Sequence, residues 1–99
     1  MTKHFHPGTE DFFQAVLSLE NMEECRRFFE DVCTIKELQA MAQRFRVAAQ
    51  LSDNKNYNEI QLSTGASSAT ISRVNKCLLY GSGGYATALE RMGKEQDDG

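Results

Sequence analysis

The sequence predicts an all-α protein. Three observations carry this: apolar residues recur at i, i+3, i+4 and i+7, capping residues stand before the periodic stretches, and the chain has one proline. No alternating strand pattern competes, and no internal repeat is visible.

Six helical segments follow in order. The first runs from Glu10 to about Leu19 behind a cap at Thr9, with Phe12, Phe13, Val16 and Leu17 as its apolar face. Asn21 and Glu24 form a capping box for the second, whose face is Cys25, Phe28, Phe29 and Val32. Thr34 and Glu37 make another box and start the longest helix, from Ile35 to about Leu51. Leu38, Met41, Ala42, Phe45, Ala48 and Ala49 line one side of it. Ser52-Asp53-Asn54-Lys55 is a turn cluster. Gly81-Ser82-Gly83-Gly84 breaks the chain before a short last helix from Tyr85 to about Met92, and residues 93–99 are a polar tail expected to fray.

Between these lies the most informative window, residues 57–80, a helix, a tight turn and a second helix. Asn56 is placed to cap the first, with Glu59 returning a bond to the cap amide, and Ile60 and Leu62 are its expected apolar contacts. Gly65 stands where a left-handed residue must stop the helix. Ser67 caps the second helix, in which Ile71, Val74 and Leu78 share a stripe. Ser68, Ala69, Thr70, Ser72, Arg73 and Lys76 fall on or near the other side. A thin apolar stripe behind a short-side-chain face ending in Arg and Lys suits insertion into a DNA major groove. Two bundle helices joined by a glycine are the plainer alternative.

Ninety-nine residues, about 40% apolar and without tryptophan, make one domain at most, 1–99. So small a domain gains from sharing its core with a second subunit, and a homodimer is expected. There is no apolar run long enough to span a membrane, and the N-terminus lacks the apolar segment of a signal peptide. Cys25, Cys33 and Cys77 are odd in number and lack metal-ligand spacing, which fits reduced thiols in a cytoplasmic protein.

The net charge of −3 is unevenly spread. Residues 1–33 sum to −4 and residues 81–99 to −2, whereas residues 34–80 sum to +3 through Lys36, Arg44, Arg46, Lys55, Arg73 and Lys76. The positive excess lies in the segment containing the helix pair, and phosphate attraction answers to a local field. Enzymatic chemistry finds no footing. His4 and His6 are the only histidines, both near the N-terminus, and two ligands on one short segment do not make a metal site. No cofactor is expected, since the Gly81–Gly84 run follows a helix and has no Lys after it. The phenylalanines and methionines read as core at helical spacing.

The helix order, the segment CTIKELQAMAQRFRVAAQL and the run TGASSATISRVNKCL resemble the Trp-repressor superfamily, and within it the branch of YerC/YecD-type Trp-repressor-related proteins. The resemblance covers roughly residues 12–85. It implies a six-helix, intertwined homodimer with one helix-turn-helix per subunit and a role as transcription regulator. It also implies a candidate effector pocket, with Arg44 and Arg73 at the places of two arginines that sandwich the tryptophan ring and Thr34 at that of a threonine that helps hold it. Val74 departs from the pattern. It stands where the repressor has a glycine that leaves room for the indole, and Cys77 replaces a small hydroxyl residue. Both departures argue against tryptophan as the effector.

The expected function is therefore that of a sequence-specific DNA-binding transcriptional regulator, a repressor in the first instance, acting on double-stranded DNA through Ser67, Ser68, Ala69, Thr70, Ser72, Arg73 and Lys76. A dimeric helical adaptor that binds a protein through the same helix pair is the alternative.

Overall fold

Glycine-and-cap punctuation divides the chain into α1 (Thr9–Leu17), α2 (Met22–Val32), α3 (Ile35–Ser52), α4 (Tyr57–Thr64), α5 (Ser68–Tyr80) and α6 (Gly84–Asp98). These bounds come from a computed structural model that describes residues 6–98, with side chains described through residue 93. Among the described residues there are six helices and no strand. The chain forms two compact units, residues 1–38 and residues 39–99.

In the first unit α1 starts without the expected Thr9 cap. Gly8 occupies the cap position with no side-chain bond, and Thr9 is already helical. The turn before it is held by His6, whose Nδ1 accepts the Gly8 amide at 3.2 Å and whose carbonyl accepts the Thr9 amide at 2.9 Å. His4 lies outside the described residues. At α2 the Asn21 side chain accepts the Glu24 amide at 2.9 Å as expected, but the Glu24 carboxylate reaches one residue further back, to the Glu20 amide. Thr34 and Glu37 make the full reciprocal box at the start of α3: the Glu37 amide donates to the Thr34 hydroxyl and the Thr34 amide to the Glu37 carboxylate. The Glu37 carboxylate is held below its ordinary pKa, first by the Thr34 backbone amide and then by the Thr34 side chain.

The apolar faces of α1 and α2 meet as a cluster of phenylalanine rings. Phe12 lies 5.7 Å from Phe28 and 6.3 Å from Phe29, and Phe28 meets Phe29 edge-on at 5.4 Å. Edge-to-face pairs at these distances are favourable. None of the described residues of α1 or α2 is fully buried, however, and Leu17 and Ile35 are 80% and 76% exposed.

The second unit has a small closed core of Val47, Ala48, Ile60, Ala66, Ile71 and Val74, with Leu51, Leu78, Tyr85 and Leu89 packed against it. Each fully buried Val or Ile contributes about 1.5–3 kcal/mol. α3 gives Val47, Ala48 and Leu51 to this core. Of the expected face Ala48 is buried and Phe45 and Ala49 half-buried, whereas Met41 is 43% exposed and Ala42 also open, and Val47 and Leu51 come from outside it. A helix with apolar residues on several sides gives no unique core direction until its neighbours are placed. α6 is joined to α3 through Tyr85, whose ring lies 6.4 Å from that of Phe45. It starts one residue earlier than the spacing predicts and continues to Asp98 rather than ending near Met92.

Candidate nucleic-acid interface

α4 and α5 are set by their caps. The Glu59 amide donates to the Asn56 side chain at 2.9 Å. The return bond differs from the expected box: the Asn56 side-chain amide, not the backbone amide, donates to the Glu59 carboxylate at 2.8 Å. Asparagine can donate from its own side chain, which threonine and serine boxes do not offer as an amide. Gly65 ends α4 with φ 74°, and its amide donates to the Gln61 carbonyl. A side chain there would be strained in the left-handed region. Ala66, the next residue, drops into the core. Ser67 then caps α5, accepting the Thr70 amide at 3.2 Å. At the far end a Cβ on Gly81 would run into the Cys77 carbonyl, so the glycine is needed where α5 closes.

This geometry gives α5 two unlike sides. Ile71 and Val74 are buried and Leu78 half-buried. Ser67, Ser68, Ala69, Ser72, Arg73 and Lys76 are exposed. Thr70 is the exception on the polar side: it is half-buried, and its hydroxyl accepts from the Ser67 hydroxyl at 3.1 Å. Leu62, expected as an apolar contact of α4, instead stands 89% exposed. Ile60 alone supplies the buried apolar anchor of α4. In an eight-residue helix two positions apart point to different sides, so both cannot face α5.

Arg44 and Arg73 are brought together, lining a cavity of about 330 Å³ with Val74, Cys77 and Tyr85. Val74 is 1% exposed and belongs to the core, so its branched side chain is a fixed part of the lining of that space. Tyr85 was not a residue the spacing singles out. Its signal was only that of an aromatic residue following a glycine run. Among the described residues Glu23 pairs with Arg26 and Arg27, and neither Arg73 nor Lys76 has an acidic partner there. Thr34 belongs to the other unit, where its hydroxyl accepts the Glu37 amide. Three residues of α3 that no motif marks, Gln43, Arg46 and Gln50, bond to the last turn of α4. On sequence alone they read as an ordinary solvated helix face.

No described helix is long and apolar enough to cross a membrane. The model of the Trp repressor protein family matches residues 8–93. The uncharacterized protein YerC of Bacillus subtilis (strain 168) is 51% identical over 83 residues, covering 84% of this chain and 80% of its own length. A TrpR-like protein from Eubacterium eligens ATCC 27750 superposes with a TM-score of 0.86 at 50% identity, over 89% of this chain and 91% of that one. A candidate Trp repressor from Staphylococcus aureus does so at 0.85 and 42% identity, over 90% and 89%. With the capped helix pair, the glycine turn and this match along nearly its whole length, the chain belongs to the Trp repressor family.

Proposed function

We propose that the protein is a homodimeric, sequence-specific DNA-binding transcription regulator, a repressor by its family, whose α5 enters the major groove. The observation that carries this is the two-sided α5. Its apolar side is buried, while Ser68, Ala69, Ser72, Arg73 and Lys76 stand in solvent with no acidic partner among the described residues. Short side chains near the helix start can approach base edges, and the longer basic ones can bend back to phosphates at the rim. Ser67 and Thr70 hold the helix start and come close to the same edges. In dimeric helix-turn-helix regulators two such helices reach successive major grooves about 34–36 Å apart.

The dimer reading is supported by the first unit, whose clustered Phe12, Phe28 and Phe29 are no more than half-buried and whose Leu17, Met22 and Ile35 face solvent. A second copy is the partner that would cover them. The cavity of Arg44 and Arg73 is the proposed effector pocket, for a small anionic molecule other than tryptophan. Thr34 enters that proposal from the family pattern. A cytoplasmic place of action fits a DNA regulator.

The test is selection of bound sequences from random duplex DNA, with and without a metabolite extract, repeated at two salt concentrations. Enrichment of a near-palindromic sequence, with affinity falling steeply as salt rises through counterion release, is the expected result. Absence of any enriched duplex, together with salt-insensitive capture of a protein, would overturn it in favour of the adaptor.

A further inference from the structure

The last turn of α4 is held to α3 by side chains. Gln43 Nε2 donates to the Thr64 carbonyl at 3.1 Å and Arg46 Nη2 to the Ser63 carbonyl at 3.2 Å. The Ser63 hydroxyl donates to Gln50 Oε1 at 2.6 Å. Gln43, Arg46 and Gln50 stand at i, i+3 and i+7, so they form one stripe along α3. Both carbonyls belong to the final turn of a helix, where intrahelical donors run out. α4 is eight residues long and buries one apolar side chain, Ile60. One apolar anchor lets a short helix pivot about it, because burial is not directional. Three hydrogen bonds at the far end remove that freedom, and the turn through Gly65 passes the constraint to α5.

We propose that Gln43, Arg46 and Gln50 are positioning residues that set the angle of the α4–α5 pair and, through it, sequence selectivity. This rests on the DNA-binding reading above. Phosphate contacts carry no sequence information, whereas base-edge hydrogen bonds need their donors and acceptors aligned. Loosening the stripe therefore costs discrimination more than general affinity.

Two readouts separate the parts of the proposal, taken well below the melting temperature on Arg46→Ala, on Gln43→Ala with Gln50→Ala, and on Arg46→Lys. The first is amide hydrogen exchange at Gly65 and Ala66 in the free protein. The second is the ratio of affinities for a selected duplex and a scrambled one. With the alanine variants, exchange at the turn should quicken and the ratio fall, each roughly tenfold, while affinity for the scrambled duplex holds. Arg46→Lys keeps a donor and should retain most of the ratio.

Unchanged exchange at Gly65 and Ala66 overturns the positioning role whatever the DNA results. Faster exchange with an unchanged ratio overturns the link to selectivity. Equal losses on both duplexes with Arg46→Ala overturn it for that residue, marking a phosphate contact instead. An unaltered protein that prefers no duplex refutes the DNA-binding reading and the selectivity role together, and the exchange response then tells this failure from the first.

Discussion

Arg73 and Val74 are chain neighbours with opposite surroundings that line one cavity: the arginine is exposed, and the valine is 1% exposed within the core. One residue advances a helix by about 100°, enough to carry a side chain from the solvent face to the core face. The cavity wall therefore combines a charge that can meet an anion with a branched apolar group that the core holds in place.

L-tryptophan should accordingly give no binding heat in titration calorimetry with the unaltered protein. Val74→Ala should enlarge the space at a cost of about 2 kcal/mol in folding stability, because the side chain it trims is buried. Val74→Gly adds about 1 kcal/mol of helix penalty and is the poorer probe. Micromolar tryptophan binding by the unaltered chain would contradict this account of the pocket.

The melting temperature should rise with protein concentration, as mass action requires when folding and association are coupled. The exposed Leu17, Met22 and Ile35 of the first unit are the reason to expect it. A monomeric mass at micromolar concentration with a cooperative, concentration-independent melt is the contrary outcome.

On DNA, Lys76→Ala should weaken all duplexes alike and flatten the salt dependence by about one unit of slope. Thr70→Ala should change which sequences are preferred, but the Thr70 hydroxyl also takes part in the Ser67 cap. Ser72→Ala is the cleaner companion, since Ser72 is on the exposed part of α5 whereas Thr70 is half-buried. If Lys76→Ala leaves the salt slope untouched and neither hydroxyl affects sequence choice, α5 is not the reading helix.

Acid should weaken the start of α3. The Glu37 carboxyl is lowered from 4.5 by the Thr34 backbone amide first and the Thr34 side chain second. A carboxyl with a depressed folded pKa stabilises fully above its unfolded value and loses that contribution as pH falls through the folded one. The gap in melting temperature between the native chain and Glu37→Gln should therefore be open at neutral pH and close as pH drops below 4.5. A gap that does not change with pH would show that the ionised carboxylate is not what closes the cap.

Much was legible because it is local. The caps at Asn21, Thr34, Asn56 and Ser67, the left-handed Gly65 and the buried stripe of α5 depend on residues within a turn or two of each other. Fold class and the outward face of α5 followed from these. Other features needed neighbours to be placed. Which side of α3 is buried, the exposure of Leu62, the meeting of Tyr85 with Arg44 and Arg73, and the bonds from Gln43, Arg46 and Gln50 to α4 join residues well separated in the chain. Helical periodicity states which residues share a face but not what that face meets, and a polar stripe looks the same whether it points to water or to another helix's carbonyls. Local patterning thus sets the order of the helices and most of their caps, though not the start of α1 or the extent of α6, and packing sets which polar groups satisfy one another between helices.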